Sequence, residues 1–307
     1  SCKIPMSEFE KVLSDDSITA LYVTSPDYLG NTTDIKQLSQ LCHKHKKLLI
    51  VDNAHGAYLH FLNKPSHPID YGADLCCDSA HKTLPVITGG AYLHVNNDCI
   101  LPYVKKALML FGTTSPSYLT LQSLDAANVY LANHNERLSA FIPYVDRLKK
   151  ALKNYGWDIY GDEPLKITIC PKAFGYTGIE LGEILFNQDI VCEFSDPDFL
   201  VMMVTPETKQ SDLILLEKVL LSIPRLSKIT DTPPEVSPCE QIISPRQAVL
   251  SISETIKTDD AVGKILASPC VSCPPAVPII MCGQRITNEV VSAFKYYGIT
   301  DCDVLKQ

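Results

Sequence analysis

Apolar residues along the first third of the chain follow two rhythms. Met6 to Leu13 and Asp34 to Lys46 place them at the three-to-four-residue spacing of an amphipathic helix, and Ala20 to Thr24 reads as a short strand. Leu48 to Val51 is a continuous apolar run, repeated at Ala73 to Cys77 and again at Gly90 to Val95. Runs of this kind mark strands buried on both faces. Strands separated by helical crossovers or longer connections predict an α/β fold with a mostly parallel sheet and helices on both faces.

Farther on, Ser115 to Tyr155 is rich in Leu, Ala and Asn, with prolines only at Pro116 and Pro143, and predicts one or two helices ending at Gly156. Trp157 to Ile223 mixes strands at Lys166–Cys170, Ile190–Glu193 and Leu200–Val204 with helices at Ile179–Phe186 and Gln210–Ser222, an α+β pattern. Asp231 to Pro238 is polar and Pro-containing and reads as a linker. The tail, Pro245 to Gln307, predicts a helix at Asp259–Ala267, a Pro-rich turn at Cys273–Pro278 and a helix at Asn288–Tyr297. The expected division is therefore 1–155, 156–230 and 231–307, with no internal repeat.

Composition narrows the function classes. The 307 residues are 46% hydrophobic and 20% charged, and no apolar run approaches the roughly 20 residues of a membrane-spanning helix. A net charge of -8 argues against nucleic-acid binding, which needs clustered Lys and Arg. The single basic cluster, His43 to Lys47, stands at the end of a predicted helix, where cations are favoured electrostatically. Twelve cysteines are scattered, several inside strand-like runs, which fits free thiols in a reducing cytoplasm better than a disulfide framework. No metal site is expected, because Cys270 and Cys273 have zinc-like spacing without a second pair.

In open parallel sheets, ligands sit beyond the carboxyl ends of the strands. Asp52 and His55 follow the run Leu48–Val51, and Asp78-Ser79-Ala80-His81-Lys82-Thr83 follows Ala73–Cys77. An acid and a lysine at two strand ends, one crossover apart, are what a pyridoxal 5'-phosphate site asks for. It needs an amine to form a Schiff base, a carboxylate to keep the pyridine nitrogen protonated, and hydroxyl or imidazole donors for the phosphate. On that reading Lys82 is the amine, Asp52 the carboxylate, Ser79 and His81 the phosphate donors, and His55 a contact to the ring oxygen or substrate. Each also has an ordinary reading: Asp52 as a helix cap and Lys82 as a surface residue. Gly89-Gly90 lacks dinucleotide-binding spacing and suits a close backbone approach. Arg246 suits a substrate carboxylate, with a surface salt bridge as its ordinary reading.

Several ordered motifs carry a resemblance. Asp52-Asn53-Ala54-His55-Gly56-Ala57, Gly72-Ala73-Asp74 and Asp78 to Pro85 are similar to the ornithine/lysine/arginine decarboxylases of fold type I, the aspartate-aminotransferase-like group. Val23 to Tyr28 and Gly112 to Tyr118 also resemble that family, as do Ser244-Pro245-Arg246, Ser253-Glu254-Thr255 and Pro274 to Pro278.

The resemblance implies a cofactor-binding large domain at 1–155, a small α+β domain at 156–230 and a decarboxylase-type tail at 231–307. It implies that Lys82 carries the cofactor and that Asp52 is the pyridinium partner. Ser79 and His81 would be phosphate contacts, His55 a cofactor contact with a part in catalysis, and Thr24 a further cofactor contact. Thr113 and Thr114 would reach the phosphate of a neighbouring subunit in a homodimer or a multiple of one.

The implied reaction is decarboxylation of lysine, ornithine or arginine to an amine, as in polyamine formation. The alternatives are an aminotransferase or carbon-sulfur lyase on the same scaffold, or a non-catalytic fragment or partner subunit. Family members begin with a longer large-domain portion holding a phosphate-cradling turn and a ring-stacking side chain. Neither is found before Val23, so the chain is expected to lack the N-terminal part of that domain. Asn53 stands where several relatives carry an acid or Ser.

Overall fold

The computed structural model describes residues 5–268 and 278–306, so Cys270, Cys273 and most of the Pro-rich turn lie outside the described residues. Helix α1 (Met6–Leu13) leads into strand β1 (Ala20–Thr24), helix α2 (Ile35–Lys44) and strand β2 (Leu48–Asp52). Strand β3 (Leu75–Asp78), the short helix α3 (Ala80–Thr83) and strand β4 (Tyr92–Val95) follow. The four strands form one sheet in the order β1-β2-β3-β4. The first three are parallel, with Ala20 opposite Leu48 and Ile50 opposite Leu75, whereas β4 runs antiparallel to β3 with Leu93 opposite Cys77.

Helix α2 forms where its pattern predicts. Asp34 caps it by accepting the Gln37 N–H at 3.0 Å, and Ile35, Leu38 and Cys42 turn inward. They join Phe9, Leu13, Leu49, Val51, Ala73 and Cys76 in one buried cluster. The basic run at its end is tied down by Lys44 to Glu10 at 2.8 Å and His43 to Asp74 at 3.1 Å.

Helix α4 (Leu101–Phe111) has no counterpart in the sequence reading; the expected helical stretch beyond it is two helices, α5 (Tyr118–Leu131) and α6 (His134–Tyr155). Strands β5 (Asp158–Tyr160) and β6 (Lys166–Cys170), helix α7 (Gly178–Phe186), strands β7 (Phe194–Ser195) and β8 (Leu200–Met203), and helix α8 (Gln210–Ser222) come next. Their sheet has the order β5-β6-β8-β7. The strand expected at Ile190–Glu193 lies instead at β7. Asp189 adopts a left-handed conformation (φ 60°) and the Ile190 N–H bonds back to the Leu185 carbonyl at 3.0 Å, so Ile190 closes α7 rather than opening a strand.

The tail holds helix α9 (Pro245–Leu250), strand β9 (Ser253–Lys257), helix α10 (Asn288–Tyr296) and strand β10 (Asp301–Leu305). The two strands pair antiparallel, with Ser253 opposite Leu305. The helix expected at Asp259–Ala267 does not form. A 3-10 turn covers Thr258–Asp260, Gly263 takes φ 82°, and Ile265 and Leu266 bridge to Arg285 and Val304. The chain divides into two compact units, Ser1–Tyr155 with Ile159–Thr168 and Met203–Leu221, and Gly156–Asp158 with Ile169–Met202 and Ser222–Gln307. The second unit has its own buried cluster, including Leu266, Ile286, Val290, Phe294 and Val304. No described helix is long and apolar enough to cross a membrane.

Candidate active site

Because β2 and β3 are adjacent and parallel, Asp52 and Asp78 end their strands at the same edge of the sheet. Val51 and Cys76 anchor the strands from below in the buried cluster, and the chain leaves each strand end in a tight, polar segment. The first segment carries His55 and the second, through α3, carries Lys82.

The two meet: Lys82 Nζ lies 3.1 Å from His55 Nε2. His55 is 4% exposed, and Tyr28 packs edge-on against its ring with centroids 5.2 Å apart. Behind Tyr28 stands the buried Lys166, whose Nζ donates to the carbonyls of Asp27 and Tyr28 at 3.2 and 3.0 Å. Burial, then the charges of Lys166 and Lys82, push the His55 pKa down to about 3, so the ring is neutral. A neutral ring accepts from the Lys82 ammonium at Nε2 and therefore carries its proton on Nδ1, an assignment that follows from the hydrogen bonds. That Nδ1 is buried and has no hydrogen-bond partner among the described residues. An orphaned buried donor beside a lysine amine is the mark of a site that pairs with something polar.

Asp52 accepts the Ala54 N–H at 3.0 Å on Oδ1 and the Tyr22 hydroxyl at 2.9 Å on Oδ2. Tyr22 was not singled out in the sequence. Strand alternation carried the signal, since Tyr22 and Thr24 share a face of β1 and Thr24 stands opposite Asp52. Burial first, and then the bond to Asp52, raise the Tyr22 pKa to about 12.

Ser79 stands at the N-cap of α3 with its hydroxyl making no cap bond. His81 is tied to the Gly90 carbonyl through both its ring Nδ1, at 3.0 Å, and its backbone N–H, at 3.3 Å. Thr24, Thr113 and Thr114 are exposed and make no hydrogen bond to Asp52, His55 or Lys82. The Thr113 hydroxyl accepts from the Ser115 N–H at 3.1 Å. Arg246 is exposed on α9 and forms no ion pair among the described residues.

A second group beside the site also went unread. The buried Asp78 carboxylate receives Asn53 Nδ2 at 2.7 Å, His94 Nε2 at 2.8 Å and His67 Nε2 at 3.0 Å. Burial alone would raise the Asp78 pKa, but the bonds from His67 and His94 outweigh it and hold the carboxyl well below its ordinary range. This accounts for Asn53: an acid at that position would face a buried anion, whereas the amide donates to it.

The lysine amine, two-donor carboxylate, neutral imidazole and free Ser79 hydroxyl fit the functional groups of pyridoxal phosphate. The chain is also similar to several known proteins. A family model described as "Orn/Lys/Arg decarboxylase, major domain" matches residues 7–168, more than half of the chain. YaaO, an uncharacterised protein of Bacillus subtilis (strain 168), is 30% identical over 296 residues, covering 88% of this chain and 60% of its own length. The arginine decarboxylase of the same organism is 30% identical over 296 residues, covering 89% of this chain and 60% of its own length. The structure of lysine decarboxylase A from Pseudomonas aeruginosa superposes with a TM-score of 0.78 over 99% of this chain and 61% of that one, at 14% identity. That likeness is one of fold and agrees with the expected α/β architecture of fold type I. The chain spans about 60% of the length of these curated relatives.

Proposed function

Since the chain belongs to the ornithine/lysine/arginine decarboxylase family, we propose that it carries the pyridoxal-phosphate site of an enzyme that decarboxylates a basic L-amino acid, lysine, ornithine or arginine, to its amine and CO2. The observation that carries this reading is the meeting of Lys82 and His55 at 3.1 Å, at the strand edge that Asp52 also occupies.

Lys82 would hold the cofactor covalently through Nζ, Asp52 would face its pyridine nitrogen, and Ser79 and His81 would bind its phosphate. When bound, the cofactor supplies a sink for the electron pair that CO2 leaves behind. The chain's own residues do the rest. Asp52, fixed by Tyr22 and the Ala54 N–H, presents a directed carboxylate. His55 offers its unpartnered Nδ1–H to the cofactor ring oxygen or to the substrate. Lys82 through Nζ, or His55 through its Nδ1–H, holds the proton that takes the place of CO2 on the substrate carbon.

In this reading the large domain is 1–155, the small domain 156–230 and the tail 231–307. Thr24 is a further cofactor contact, and Thr113 and Thr114 serve the site of a second subunit in a homodimer or a multiple of one. Their exposure between Phe111, 90% exposed, and Tyr118, 84% exposed, supports a face made for that contact. The protein works in the cytoplasm, in keeping with free thiols at all the described cysteines.

An assay with lysine, ornithine and arginine tests the reaction. Release of CO2 and the matching amine from one of them, abolished by Lys82→Ala, is the expected result. A keto acid in place of CO2 would overturn the decarboxylase assignment.

A further inference from the structure

Asp78 stands one residue before Ser79 and four before Lys82, at the end of β3. Besides the Cys76 thiol of β3 itself, its donors come from three places in the chain: Asn53 from the turn after Asp52, His67 from the connection between β2 and β3, and His94 from β4. Asp78 is 2% exposed, His67 4% and Asn53 fully buried, so the bonds from Asn53 and His67 are shielded from water, whereas the His94 side chain is 39% exposed.

His67, Asp78 and His94 bring their ligand-type atoms within 4.8 Å of one another, the composition of a divalent-cation site. The hydrogen bonds argue otherwise. The Ile69 N–H donates to His67 Nδ1 at 3.2 Å, which places the ring proton on Nε2, aimed at Asp78. A metal would need a lone pair on that nitrogen. The group is a carboxylate saturated by donors, and what it does must be sought in what those donors hold.

Asn53 answers that. Its amide nitrogen is on Asp78, while its amide oxygen lies under Gly56, where even a Cβ would meet it at 2.0 Å. Asn53 is thus wedged between Asp78 and the backbone that presents His55. The Asn53 N–H also donates to the Cys77 carbonyl at 2.9 Å, binding the same turn to β3. A shift of the Asp78 carboxylate passes through Asn53 to Gly56 and His55 on one side, and through the chain to Ser79 and Lys82 on the other.

We propose that Asp78 is a positioning residue for the cofactor site, locking the Asp52–Gly56 turn and the Ser79–Lys82 segment into one geometry through Asn53, His67 and His94. The proposal rests on the reading of Lys82 and Asp52 as cofactor residues. It assigns no direct contact between Asp78 and the cofactor. Positioning of this kind matters because displacement of a reacting group by about 1 Å can cost on the order of a hundredfold in rate.

The test uses Asp78→Asn and Asn53→Ala chains, with pyridoxal phosphate affinity measured by absorbance titration and folding by urea unfolding. Asn53→Ala leaves Asp78 with its two histidine donors and the Cys76 thiol, so it remains available if Asp78→Asn does not fold. The expected result is affinity lower by about tenfold, the equivalent of one lost hydrogen bond to a charged group, in variants that remain folded. Unchanged affinity in folded Asn53→Ala would overturn the proposal, because a merely structural role lowers stability and leaves the affinity of the folded chain alone.

Hydrogen exchange of the cofactor-free chain separates this from the site assignment. If the unsubstituted chain binds no pyridoxal phosphate, the cofactor reading fails, and faster exchange confined to 53–56 and 79–84 in the variants would still support the lock. Exchange unchanged in those segments would refute it. So would stoichiometric zinc retained by the chain and lost with His67→Ala.

Discussion

Helices α2 and α4 lie in the same unit and are buried in inverse order to their apolar content. α2 carries Lys36, Gln37, Gln40, His43 and Lys44, yet buries Ile35, Leu38, Ser39 and Cys42. α4 has only two charged residues, Lys105 and Lys106, and buries none of its side chains. Leu110 and Phe111, at its end, are 72% and 90% exposed. Burial therefore depends on a narrow stripe meeting a matching surface, here Leu49, Val51 and Cys76, and not on the amount of apolar side chain. α4 leaves its apolar side chains largely exposed, and the proposed subunit contact is placed beside it for that reason.

The largest effect that sharpens this contrast is expected at Leu38, which is fully buried. Leu38→Ala leaves a cavity beneath the sheet and should cost about 2–5 kcal/mol in urea unfolding. A cost near zero would mean that the α2 stripe is not the packing surface described.

The well-packed side of the unit also makes stability depend on pH. Burial is the main force pushing the His55 and His134 pKa values down, to about 3 and about 4. Unfolded, both take up a proton near pH 6.5. From pH 6.5 down towards 4 the unfolded chain binds the extra protons, so stability is complete above pH 6.5 and falls as pH drops. The slope is at most about 1.4 kcal/mol per pH unit for each histidine. Both ring nitrogens of His134 are buried without partners among the described residues, so His134→Phe should halve this slope between pH 6.5 and 5. An unaltered slope would show that His134 takes up its proton in the folded chain as well.

The smallest effect on stability is expected in α4. Phe111→Ser should change urea unfolding by no more than about 0.5 kcal/mol while weakening self-association in sedimentation velocity. A loss of stability as large as that of Leu38→Ala would erase the contrast between the two helices.

The same contrast governs what was legible in the sequence. α2, α7, α8 and α10 were readable because each sets buried against exposed positions at a helical period, and β1 and β2 because they are short apolar runs. α4 was not, since its two charged residues, Lys105 and Lys106, are adjacent and nearly all the rest is apolar, which leaves too little contrast to set a period. β9 and β10 were missed for the opposite reason: Ser253 to Lys257 is mostly exposed and polar, and its strand character comes from pairing with a segment over forty residues away. At the site, Asp52, His55 and Lys82 were legible from their places after apolar runs. Tyr22 depended on register across two strands. Lys166 meets Tyr28 across 138 residues, and Asp78 gathers Asn53, His67 and His94 from three separate segments. Such contacts leave no local pattern, although the unusual Asn53 was a trace of one.

The central claim is that Lys82 carries the cofactor, and its most direct test is borohydride reduction of the chain in the presence of pyridoxal phosphate, followed by peptide mapping of the label. The account predicts a single labelled peptide with the modification on Lys82, lost when Lys82 is replaced by Ala. Label on another lysine, or an unmodified Lys82 in a chain that has bound the cofactor, would contradict it.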